Sequence, residues 1–256
     1  MAFTGSNWGR KVLLEGIAPS ASLSGFVALV DLSNIPVEAI DTGSNSALNS
    51  GGDLRFSTDA AGVNQLALEV VSYTTNATAS SRRCQLWIRF PTYASGNRSV
   101  YMFYNKAGET QPAPSATYGS EKVWVDYDAV YHCESANPVD SSGNSNDLSV
   151  GTATLASGAI GDEVSSNPVQ TSGAPSISIS AGATVQVITN RTNSNNRFIN
   201  ELSVTSRFAL LYWGGVYQWW NGSFSGGSSV AAGSSAFMHV TTNSSTTDYY
   251  LNGSLE

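Results

Sequence analysis

Two stretches of this chain carry residue types that could do chemistry. The first is acidic. Between Val123 and Asn190 lie seven carboxylates (Asp126, Asp128, Glu134, Asp140, Asp147, Asp162, Glu163) and no Lys or Arg. Clustered carboxylates without counter-charges repel one another, and a hard cation held by oxygen ligands is one remedy. Asp140, Asn144, Asn146 and Asp147 share one Gly-containing loop and could form half of a calcium shell. Their spacing departs from the EF-hand pattern, which alternates oxygen ligands around a Gly and closes on Glu. The alternative for this loop is a solvated turn whose Asp and Asn side chains bond their own backbone.

The second stretch is aromatic: Tyr212-Trp213-Gly214-Gly215-Val216-Tyr217-Gln218-Trp219-Trp220-Asn221-Gly222. Aromatic rings stack on sugar faces, and Asn and Gln amides read hydroxyls. Tyr212, Trp213, Tyr217, Trp219 and Trp220 are therefore candidate ligand-binding residues. On a strand, Tyr217 and Trp219 share one face and Trp220 takes the other. The competing reading is that these rings fill the core of a sandwich.

The residues predict no catalytic set. Asp126 and Asp128 would share a face if they lay on a strand, and glycosidases need two carboxylates flanking the sugar. There is, however, no Glu-x-Asp-x-x-Glu run, no Gly-x-Ser-x-Gly elbow and no Cys/His spacing of zinc type. His132 and His239 sit in apolar, strand-like contexts and read as core or edge residues.

Composition bounds the partners. Charged residues make up 12% of the 256, about half the usual share, so solubility rests on Ser, Thr, Asn and Gly. The net charge of −7 argues against nucleic acid or an anionic membrane as partner. Residues 1–122 hold nine Lys/Arg against nine Asp/Glu, whereas 123–256 hold three Arg against ten Asp/Glu, so the excess belongs to the second half. No stretch is long and apolar enough to span a membrane. The N-terminus lacks the basic start and apolar core of a signal peptide. Cys84 and Cys133 are too few for a disulfide framework; buried free thiols or a single bridge both remain open.

The elements that must position these residues read as strands. Trp8–Glu15, Leu23–Leu32, Asp53–Phe56, Gln65–Tyr73, Arg83–Phe90 and Ser99–Tyr104 alternate or run apolar between Gly/Asn/Ser/Pro turns. In Asp53–Phe56 the alternation predicts both charges on one face, with Leu54 and Phe56 on the other. In Arg83–Phe90 it sends Cys84, Leu86, Ile88 and Phe90 one way. The only helical signal is weak, near Pro36–Ile40. A Pro-containing connection, Gln111–Gly119, leads to an aromatic strand holding Trp124, Tyr127, Val130 and Tyr131, which marks a junction. Many short strands with such turns predict an all-β protein of two antiparallel β-sandwich or jelly-roll domains, 1–122 and 123–256.

Trp8 with Arg10-Lys11, Asp53-Leu54-Arg55-Phe56, Glu69, Leu86-Trp87-Ile88, Val100–Ala107 and Val123-Trp124 resemble a phage and bacterial β domain of unknown function. That domain commonly precedes a concanavalin A-like or laminin-G-like module. The family often has Tyr-Gly-Asn where this chain has Tyr104-Asn105, so a shorter turn is expected. Tyr131–Glu134, Asp140–Asp147, Gly158–Gly161, Phe208–Trp213, Phe237–Val240 and Tyr249–Ser254 are similar to laminin-G-like modules. In those modules further strands follow, and an Asn-Gly turn needs a returning strand, so the sandwich is expected to be incomplete at Glu256 or completed by a neighbouring chain.

The resemblance implies a virion component made in the host cytoplasm: a tail or surface protein contacting other virion proteins and a host glycan. Low charge and an open sheet edge imply a homo-oligomer, a trimer if it belongs to a fibre. The alternatives are a decoration protein without ligand and a polysaccharide-degrading enzyme.

Overall fold

The structure, a computed structural model, describes residues 5–16, 19–96, 99–132, 134–135 and 138–150, and after these the strands named below with Asn252. Beyond 147 its described side chains are those of 184–187, 237–241 and 248–252. The strands, in chain order, are β1 (Arg10–Glu15), β2 (Leu23–Asp31), β3 (Arg55–Ser57), β4 (Ala67–Thr74), β5 (Arg83–Tyr93), β6 (Ser99–Tyr104), β7 (Leu148–Val150), β8 (Thr154–Ser157) and β9 (Asp162–Ser165). They continue as β10 (Val169–Thr171), β11 (Ala183–Asn190), β12 (Asn196–Leu202), β13 (Arg207–Trp213), β14 (Val216–Trp220), β15 (Phe224–Ser225), β16 (Ser235–Thr242), β17 (Thr247–Leu251) and β18 (Ser254–Leu255). The one α-helix among the described residues is a single turn, α1 (Val37–Ile40), after Pro36. No helix among them is long and apolar enough to cross a membrane. The protein is all-β and its sheets are antiparallel.

The chain divides into two compact units, Met1–Thr152 with Asn167–Ala174, and Ala153–Ser166 with Pro175–Glu256. In the first unit two three-stranded sheets, β1-β6-β3 and β2-β5-β4, contribute to one core. The predicted alternation of β5 holds: Cys84, Leu86, Ile88 and Phe90 are all buried, in one cluster with Leu14, Phe56 and Met102 of the other sheet. Register fixes their neighbours, with Val30 opposite Leu86, Leu68 opposite Ile88 and Phe56 opposite Met102. Cys84 is a buried free thiol, its pKa pushed up to about 12 by burial with a further push from Asp31. Cys133 lies outside the described residues.

The charged residues of Asp53–Phe56 are buried along with the apolar ones: Asp53, Leu54, Arg55 and Phe56 all lie out of solvent. The charges survive burial because both groups find partners. Asp53 accepts from the Leu48 and Lys106 backbone N–H groups, and Arg55 donates to the carbonyls of Gly52, Leu54 and Thr110. Trp8 closes this network, its indole donating to the Asp53 carbonyl with the Lys106 ammonium 4.1 Å from its ring centre. Asn105 takes a left-handed conformation (φ 63°), which Asn tolerates better than most residues. Its amide donates to the Ser44 and Ser46 carbonyls, securing the turn after β6.

One local expectation changes: Trp124–Tyr131 is not a strand. After a 3-10 turn (Ser120–Lys122) the backbone bonds locally, Trp124 N–H to Glu121 and Tyr127 N–H to Trp124. Among the described residues no strand pairs with this segment. Instead it lies against β2-β5-β4, apart from the main core: Val123 and Trp124 are buried with Ala67, packed by Val27, Trp87 and Val130. The residues after the expected 122/123 boundary thus pack on the first unit.

In the second unit β11-β16-β17-β18 and β12-β13-β14-β15 are four-stranded sheets, and β8 pairs with β9. Met238, Val240, Tyr249 and Leu251 are buried, in keeping with alternation along β16 and β17. The return that the Asn252-Gly253 turn calls for is present as β18, with Leu251 opposite Ser254, and Asn252 has φ 50°. The Gly158–Gly161 run lies outside the described residues.

Candidate functional site

The acidic loop belongs to the first unit and is organised around Asp140, which is 6% exposed. One carboxylate oxygen accepts from the backbone N–H of Val130 and Ser142, at 3.0 and 2.9 Å. The other accepts from the Ser142 hydroxyl and the Asn146 N–H, at 2.8 and 3.1 Å. Burial pushes this carboxyl up, but those four bonds together outweigh it and hold its pKa below the ordinary value. Asp147 accepts from the Asp140 N–H. Asn144 and Asn146 turn their amide NH₂ groups toward the Tyr127 and Asp128 carbonyls. The four expected calcium ligands thus bind protein donors and acceptors, the arrangement of the Asx-turn alternative. Among the described residues no group of three His, Cys, Asp or Glu could hold a metal ion. If the loop binds Ca²⁺, EDTA should lower the Tm and Asp140→Ala should remove that effect, since an ion bound to the native state alone stabilises it. Equal melting curves with and without chelator would leave a plain Asx turn.

Asp126 and Asp128 do not share a strand face, because their segment is turn and loop. Asp126 pairs with Arg89 at 2.7 Å on a side chain that is 59% exposed. The Asp128 carbonyl receives the Ser142 hydroxyl and the two Asn amides.

Sequence reasoning named Glu69, Trp124 and His132 but missed that they meet. Glu69 on β4 is buried, accepting from the Trp124 indole N–H and lying 2.8 Å from His132 Nε2. The His132 ring stacks on Trp87 at 5.8 Å and lies 5.5 Å from Trp124. With both side chains 11% exposed and indoles beside them, the pair clamps the 123–132 segment to the sheet. A signal was present: a lone carboxylate within the apolar run Ala67–Val71 must find buried donors.

A shallow depression of about 480 Å³ is lined by Asp41, Ser44, Ser46, Asn105 and Lys106 among others. Its polar groups largely satisfy one another: Asp41 accepts from Gly43 N–H and the Ser46 hydroxyl, and Lys106 pairs with Glu109. In the second unit, Gln186, His239 and Tyr250 form a row across β11, β16 and β17. Gln186 lies 2.8 Å from His239 Nδ1, and burial lowers the pKa of that imidazole.

The aromatic candidates all fall on one hairpin, β13–β14, joined at Gly214-Gly215. Register sets Tyr212 opposite Tyr217, Leu210 opposite Trp219, Ala209 opposite Trp220 and Trp213 opposite Val216. Directly opposed residues share a sheet face. Positions 212, 217 and 219 therefore fall on one face and positions 213 and 220 on the other. No family model, curated protein or solved structure matches this chain.

Proposed function

We propose that this protein is a structural component of a bacteriophage tail or virion surface that contacts the host by binding a glycan. The observation that carries this reading is the β13–β14 register, which gathers Tyr212, Trp213, Tyr217, Trp219 and Trp220 on one hairpin. The five positions divide three to one face and two to the other, so either face offers rings on which sugars can stack without an acid–base group. The concanavalin A-like assignment of the second unit, suggested by resemblance, is consistent with its two four-stranded antiparallel sheets. The same resemblance supports assembly with other virion proteins and a location in the particle. A homo-oligomer, trimeric in a fibre, would cover the sheet edges; a monodisperse monomer in light scattering would count against it.

Retention of the purified chain on immobilised cell-surface polysaccharide, assayed together with reducing-end release, separates the functions. Binding without release is expected. Release would mean a polysaccharide-degrading enzyme. Neither activity, with the chain found in purified virions by mass spectrometry, would mean a decoration protein. Replacing Trp219 by Ala tests whether its face takes ligand or forms core. An anchoring ring should cost on the order of 1–3 kcal/mol of binding with the fold intact, whereas a core ring should unfold the unit.

A further inference from the structure

The three charged residues of β12–β15 are divided by register. Arg197 lies opposite Leu211, which lies opposite Gln218; Arg207 lies opposite Leu202; Asn200 lies opposite Ala209, which lies opposite Trp220. Arg197, Asn200, Arg207, Trp213, Gln218 and Trp220 therefore occupy one face of this sheet. Glu201, opposite Phe208, falls on the other face with Ile199, Leu210, Tyr212, Tyr217 and Trp219. The bulge between Arg197 and Ile199 shifts the alternation by one residue and so sets these two positions on opposite faces. On β13 and β14, the Glu201 face holds only aromatic and aliphatic residues, whereas the other holds Arg207 and Gln218 as well.

We infer that the glycan is acidic, its carboxylate groups recognised by the Arg197 and Arg207 face and its sugar rings by positions 213 and 220. This rests on the glycan-binding reading above and adds the ligand's charge and the face it occupies. Residues 123–256 carry only three arginines against ten carboxylates. Two of those three share the face with Trp213 and Trp220, and no carboxylate of the sheet does. A planar guanidinium matches a carboxylate with two parallel hydrogen bonds, and its plane also stacks on rings. The acidic remainder of the chain repels an anionic polymer, so attraction is local to this face, which favours selective over general binding.

The test uses the full chain on a panel of oligosaccharides bearing uronic or sialic acids, each beside its carboxyl-reduced neutral form, with neutral glycans included. The acidic forms should bind roughly tenfold or more tightly than their reduced partners, the expectation for one or more charge-assisted hydrogen bonds. Added salt should narrow that ratio. Arg197→Gln with Arg207→Gln should bring it to about one, and Trp220→Ala should weaken both forms alike. Arg197→Lys with Arg207→Lys keeps the charge but removes the fork, giving an intermediate ratio and a readout should the Gln variants misfold. Equal binding of acidic and reduced forms would overturn this inference and leave glycan binding standing. Binding to no glycan of either kind would overturn both.

Discussion

Replacing Trp124 by Ala should be the most damaging single change in the 123–147 segment, lowering stability by about 3–5 kcal/mol. Trp124 is 4% exposed and packs with Val123 and Ala67 against the β2-β5-β4 sheet. Truncation removes the ring and also the indole donor to Glu69, leaving a buried carboxylate with His132 as its remaining side-chain partner. The expected readout is a large fall in the urea midpoint of the first unit, with new protease cleavage between residues 125 and 147. Trp124→Phe separates the contributions. It keeps most of the packing and removes the hydrogen bond, so a cost of roughly 1–2 kcal/mol is expected. An Ala variant as stable as the wild type would show that the segment does not depend on this anchor.

Asp140→Ala should come next, at roughly 3 kcal/mol, because three backbone N–H groups and the Ser142 hydroxyl are deprived of their acceptor together. The same residue predicts a pH dependence. Its folded pKa lies below its unfolded value, so the native state binds the proton more weakly than the unfolded chain. The stability it contributes is present above the unfolded pKa of about 3.9. It is lost as pH falls through the folded pKa. Asp140→Asn keeps the size but removes this titration. The difference between wild-type and Asn stability should therefore shrink toward acid pH. A difference independent of pH would remove Asp140 from the acid response, and a stable Ala variant would show that the loop holds without it.

The order of these effects reflects what each side chain supplies. Trp124 provides apolar area and one hydrogen bond at a position beside three other aromatic groups, Trp87, Tyr127 and His132. Asp140 provides only hydrogen bonds, some of which water can replace once the carboxylate is gone. Both residues hold the 123–147 segment, one to the sheet and one to itself. Their effects on its protease sensitivity should accordingly differ: a broad opening for Trp124→Ala, and a local one near 140–147 for Asp140→Ala.

Much of the strand content was legible in the sequence, because the two-residue repeat of a strand is a local property. The β5 pattern shows this: Cys84, Leu86, Ile88 and Phe90 alternate in sequence and are buried in the fold. The turns were legible for a similar reason, since Asn105 and Asn252 tolerate the left-handed backbone that those positions need. The burial of Asp53 and Arg55 was not legible. Whether a charge can leave water depends on donors and acceptors remote in sequence, here Lys106 N–H and the Thr110 carbonyl. The aromatic run Trp124–Tyr131 was misread for the reverse reason. Its residue types suit a strand, but no described strand offers it a ladder, and Glu69 offers Trp124 a hydrogen bond instead.

The candidate sites divide along the same line. The sequence by itself determined which residues could act: the Asp/Asn loop, and the aromatic run between Tyr212 and Trp220. Only the tertiary structure decided that the loop's side chains bind its own backbone. Only the strand register decided that Trp213 and Trp220 share a face with Arg197 and Arg207 while Trp219 lies opposite. The physical reason is that hydrogen-bonding capacity and strand alternation are written locally, but pairing partners come from segments distant along the chain. A shift of one residue in register exchanges the faces without changing any residue's identity.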